Sequence, residues 1–200
     1  MFPKNIKKES GYTIIEMMIA ISVFLVVVTM GMGALLNANL LHQKTQDMRS
    51  ILDSLNFTMD DMSRNLRTGY NYHCIDGTLN GSEGGSSAYS CPGGGGGISF
   101  TASDGSRWEY YMAFNPSIND SKALSIFRLG GGEINPVQLT SNEVAIDSMS
   151  LFSVIGAEPP PNTQQPFVTI KLVGSILYKG ASTPFSIQTS VSQRQIDIGT

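Results

Sequence analysis

Residues 17–36 read MMIAISVFLVVVTMGMGALL, twenty positions without a charge, with Ser22 and Thr29 as the clear polar members. At 1.5 Å per residue a helix of this length reaches about 30 Å, the thickness of a bilayer's hydrocarbon core. Gly31 and Gly33 are its weak points, since each costs a helix interior roughly 1 kcal/mol relative to alanine. The helix is expected to run on past the membrane length, because Met48, Ile51, Leu52, Leu55, Met59, Met62 and Leu66 recur at three- and four-residue intervals. Gln46, Arg49, Asp53, Asp60, Arg64 and Arg67 lie opposite, so 37–68 reads as an amphipathic helix with one apolar stripe for a soluble head. Gly69 is a natural stop.

Two hundred residues suffice for an anchor and one modest core. The net charge of −3 hides an asymmetry. Lys4, Lys7 and Lys8 against Glu9 make residues 1–11 a +2 segment, which leaves −5 on the remainder. A basic end before an apolar run is held in the cytoplasm by the positive-inside rule, and the acidic remainder offers nucleic acid no electrostatic attraction. Cys74 and Cys91 both follow the apolar run, on the side facing an oxidising compartment in that orientation. A disulfide between them would close a glycine-rich loop and contribute about 3 kcal/mol. Free thiols are the alternative, since no sequence rule fixes pairing.

Residues 69–97 contain GTLNGSEGGSSAYSCPGGGGG and read as a flexible surface loop, because glycine and serine bury too little surface to offset ordering entropy. Gly93 to Gly97 make a poor phosphate cradle, with no Lys-Ser or Lys-Thr following. In 98–200, segments rich in aromatic and β-branched residues alternate with turn signals. They are ISFTA, RWEYYMAF before NPSIND, ALSIFRL before GGG, then Val144 to Ile155, Phe167 to Leu177 and Phe185 to Ile196. EPPPN and YKGASTP separate the last three. Phe185, Ile187, Thr189 and Val191 alternate with Ser186, Gln188 and Ser190, the period of a strand with one wet face. The expected fold is α+β, a long N-terminal helix packed on an antiparallel sheet.

The segment KKESGYTIIEMMIAISVFLVV (residues 7–27) resembles the N-terminus of the bacterial type IV pilins and type II secretion pseudopilins. The resemblance implies a pilin-like fold and five segments: a leader at 1–11, a transmembrane and assembly helix at 12–36, an amphipathic helix at 37–68, the loop at 69–97 and the head at 98–200. It implies cleavage after Gly11 by a prepilin peptidase and N-methylation of the new terminal residue, Tyr12. It further implies that Glu16, one helical turn on, neutralises the amine of a neighbouring Tyr12 within a filament. A carboxylate in a bilayer centre costs roughly 2.5–3.5 kcal/mol, so Glu16 requires a partner or a shallow position. Tyr12 stands where the family more often has phenylalanine or methionine, and Gly33 where many members carry proline. The implied partners are other pilin subunits, the peptidase and an inner-membrane assembly platform, with the N-terminus cytoplasmic and the head outside. The long helix, variable loop and terminal FSIQTSVSQRQID segment look similar to the J-type minor pseudopilins and W-type minor pilins, subunits of the filament tip.

Catalytic parts are scarce. His42 and His73 are the only imidazoles, too few for a zinc site or an obvious triad, so no metal, cofactor or catalytic residue is expected. Asp60 and Asp61 point about 100° apart on a helix and cannot share a proton. Asp104-Gly105 reads as a turn, and Trp108, Tyr110 and Tyr111 as sheet core and rim. The rival reading is a single-pass anchored enzyme or binding domain with the N-terminus as tether. A competence pseudopilus component would need a basic patch that the sequence does not display.

Overall fold

The computed structural model describes residues 11–75, 85, 87–118, 123–159 and 161–194, so the leader before Gly11 and the end of the expected Phe185–Ile196 strand lie outside the described residues. The chain divides into two compact units, 1–47 and 48–200. One helix, α1 (Ile14–Thr68), contributes to both. In the first unit the large apolar side chains from Tyr12 to Leu41 are exposed, except Val28, which is half-buried, and the helix is unbroken through Gly31 and Gly33. The polar members of the apolar run satisfy themselves locally. Ser22 donates to the Ile19 carbonyl at 2.8 Å, and Thr29 lies 2.9 Å from the carbonyls of both Leu25 and Val26.

In the second unit α1 lays Leu55, Met59, Met62 and Leu66 into the core, with Ile51 beside them. Leu52, expected in the same stripe, is exposed. Thr58 takes a buried place because its hydroxyl can donate back to Ser54 (3.0 Å) or across to the Leu139 carbonyl (3.2 Å). The helix stops where a Cβ on residue 69 would lie 2.4 Å from the Phe100 ring. Gly69 is required by that close approach, and it is not among the residues with positive φ.

Ten strands follow: β1 (Tyr70–Ile75), β2 (Cys91–Gly95), β3 (Gly97–Thr101), β4 (Arg107–Phe114), β5 (Leu124–Leu129), β6 (Val137–Gln138), β7 (Val144–Ile146), β8 (Leu151–Ile155), β9 (Phe167–Tyr178) and β10 (Ala181–Ser192). They form one sheet in the order β1-β3-β4-β5-β7-β9-β8-β2, with β6 on β5 and β10 on β9. All pairings between these strands are antiparallel. The α+β expectation holds. One face of the sheet, carrying Ile98, Phe100, Tyr110, Met112, Ile126, Phe152, Ile170 and Leu172, packs in the same core as the helix stripe.

Three expectations need correction. Residues 70–75 and 91–95 are strands, where a loop was expected over 69–97; neighbouring strands supply backbone partners that the glycines' propensity does not reveal. Gly95 of β2 serves close packing, since a Cβ there would meet the Ile75 carbonyl at 2.4 Å. The segment 144–155 is two strands, broken where the Asp147 carboxylate accepts from the Met149 amide at 3.0 Å. YKGASTP is not a loop. Lys179 and Gly180, with φ of 46° and 77°, make a two-residue turn, and 181–184 already belong to β10.

Candidate assembly segment

The N-terminal segment is organised by a helix cap. Thr13 precedes α1, its hydroxyl accepts from the Glu16 amide at 3.3 Å, and its carbonyl accepts from the Met17 amide at 3.2 Å. Thr13-Ile-Ile-Glu16 thus has the spacing of a capping box, a signal legible in the sequence beside the membrane-length run. The cap satisfies one of the amides that a helix start leaves without an intrahelical partner, and Glu16 lies in the first turn, where the helix dipole favours a negative charge. Among the described residues nothing donates a hydrogen bond to the Glu16 carboxylate. Gly11 and Tyr12 precede the helix, and Tyr12 is 81% exposed. The segment therefore presents a non-helical Gly11-Tyr12 bond, a capped first turn and an open carboxylate at its head, followed by an apolar surface of membrane-spanning length.

Cys74 and Cys91 are joined by a disulfide with their Cα atoms 5.8 Å apart, linking β1 to β2. Beside it the Cys74 amide donates to the Tyr89 carbonyl, and the Tyr89 amide to the Tyr72 carbonyl, both at 3.0 Å. The two ends of the main strand order, β1 and β2, are thereby brought together. Tyr72 completes the junction, with its hydroxyl 2.5 Å from the Leu66 carbonyl and 2.8 Å from that of Gly69. Burial pushes its phenol well above the usual tyrosine range.

The remaining chemical candidates are structural. His42 is exposed and bonded to Gln46 at 3.0 Å. His73 is held by the Ser87 carbonyl at 2.6 Å and lies 5.6 Å from the Tyr89 ring. No group of three His, Cys, Asp or Glu side chains suited to a metal occurs among the described residues. Asp60 is exposed and Asp61 accepts from Asn65 at 3.3 Å. Asp104 caps its own turn through the Ser106 amide and hydroxyl, which hold its carboxyl below the ordinary range. Tyr110 is fully buried, its hydroxyl accepts from Asn65 at 2.8 Å, and burial pushes its phenol up to about 12. Trp108 donates to Ser106 under the Arg128 guanidinium, while Tyr111 stacks on Phe127.

Residues 6–32 match the prokaryotic N-terminal methylation motif. No curated protein and no solved structure matches the chain.

Proposed function

We propose that this chain is a structural filament subunit of the type IV pilin and pseudopilin kind, cut after Gly11 by a prepilin peptidase and N-methylated on Tyr12, a reading supported by the methylation motif over residues 6–32. Glu16 carries the reading. It is the one carboxylate at the head of a membrane-length apolar run, one turn beyond Tyr12 and open for a partner from another molecule. The amine created by cleavage supplies a positive charge at the matching depth, so the Tyr12 terminus of one subunit and Glu16 of the next offset each other's desolvation and set the axial register between helices.

In this reading the basic leader stays in the cytoplasm and the apolar part of α1 anchors the precursor in the inner membrane before extraction into a pilus or pseudopilus. The head lies outside. The Cys74–Cys91 disulfide supports that side, because such bonds persist in oxidising compartments. The partners are other pilin subunits, the peptidase and the assembly platform. The plan of the head favours a minor subunit near the tip, present in few copies.

Mass spectrometry of the protein recovered from cells tests the processing step. The expected N-terminus is N-methylated Tyr12. An intact Met1 would replace the reading with a tethered domain.

A further inference from the structure

A pocket at one end of the β4–β5 pair plays no part in the assembly segment. It encloses about 440 Å³ and is lined by Arg107 and Glu109 of β4, Leu129 of β5 and the loop 130–133. Tyr110 and Met112 point into the core, so by the alternation of a strand Arg107 and Glu109 stand side by side on the opposite face. Glu109 is 8% exposed, and its Oε2 is buried without a hydrogen bond among the described residues. A buried carboxylate is ordinarily held by a cation or by donors, and leaving it without them is costly. The nearby cations are committed elsewhere. Arg107 gives its terminal nitrogens to the carbonyls of Asn71 (3.1 Å) and Gly85 and to the Ser99 hydroxyl (2.6 Å), and Arg128 pairs with Glu133 at 3.2 Å. The Nε of Arg107 is also buried and has no hydrogen-bond partner among the described residues.

We propose that this pocket takes a lysine or arginine residue of a partner protein, with the side-chain cation donating to Glu109 Oε2 and an adjoining backbone carbonyl accepting from Arg107 Nε. The two unpartnered groups select the ligand. An acceptor and a donor on one face call for a molecule that brings both a cation and an acceptor, which a basic residue within a polypeptide does and a free amine does not. Arg107 at +1 against Glu109 and Glu133 at −2 leaves the lining at −1, so a cation is attracted. The rim favours a protein as well. Gly130, Gly131 and Gly132 leave it bare of side chains, which lets a partner's backbone approach closely. Ile134, next after Glu133, is 94% exposed and offers an apolar contact beside the charged anchor. The site belongs to the head and is independent of how the N-terminus is processed.

NMR titration of the full chain in neutral detergent micelles tests the site. The probes are acetyl-Leu-Lys-Leu-amide and its arginine counterpart, with the glutamine counterpart and n-butylammonium as controls. At least one basic peptide is expected to shift the amides of Gly130, Gly131 and Gly132 to saturation and to bind at least about tenfold more tightly than either control. Glu109→Gln should lower that affinity about tenfold. By removing a buried charge that lacks a partner, it should also raise the head's denaturant midpoint, whereas a carboxylate that serves only the fold would lower it. Ile134→Ser, at an exposed position, should weaken the peptide several-fold with head stability unchanged. The absence of a saturable shift at the three glycines would overturn the proposal, as would equal binding of the glutamine peptide or a lower midpoint in Glu109→Gln. Equal binding of n-butylammonium would overturn it too, by making the ligand a free amine.

Discussion

The two parts of α1 obey different constraints although they are one helix. Up to Asp47 it buries none of its large apolar side chains within the chain, whereas from Met48 it sets Leu55, Met59, Met62 and Leu66 under a sheet. Backbone propensity does not separate them. The difference lies in where the partner surface comes from: the later part meets its partner inside the chain, and the earlier part has to find one in lipid or in another subunit.

The sharpest way to break this contrast is a matched pair of truncations. Leu66→Ala should cost head stability about 2–5 kcal/mol, because it opens a cavity among side chains that cannot fully collapse. Leu25→Ala should leave the head's denaturant midpoint unchanged. Equal losses in both variants would mean that the earlier part is also packed within the chain. Next in size, replacing both cysteines with alanine should lower head stability by about 3 kcal/mol in chemical denaturation, through the freed loop between β1 and β2. Thr13→Ala should cost about 1 kcal/mol of helix stability, seen as faster exchange of first-turn amides with no change in head unfolding.

The smallest effect at neutral pH belongs to Tyr110. Its phenol ionises near pH 12 in the fold but near 10 in the unfolded chain, so the unfolded state releases its proton first and stability falls as pH rises from 10 to 12. Tyr110→Phe should flatten that alkaline slope in thermal unfolding and leave Leu25→Ala behaviour untouched. An unchanged slope would assign the alkaline loss elsewhere, with Tyr72 as the first candidate.

Much of this was legible where pattern and environment coincide. The apolar run follows from its length and composition, and the helix stripe, β4 and β5 from periodicity, since each of these three reads as one face against a core. The expectation failed where pairing is set from a distance. β1 and β2 are held by pairing with β3 and β8, which local composition does not encode, and the glycines of β2 give the opposite signal. Pro184 misled for a related reason. Proline is a breaker in a central strand, but β10 is an edge strand and accommodates it. At the assembly segment, Gly11, Tyr12 and Glu16 were singled out by resemblance, while the Thr13 cap was available from spacing and was missed. Tyr72 at the helix end could not be found from sequence, because its partners Leu66 and Gly69 are joined only by the fold.

The most direct test of the central claim is incorporation of Glu16→Leu into filaments, scored against wild type in cells expressing both from the same locus at equal levels. Leucine raises the apolarity of the helix and so preserves membrane insertion. The account predicts a processed, membrane-resident subunit that fails to enter the filament. Incorporation of Glu16→Leu at the wild-type level would contradict it.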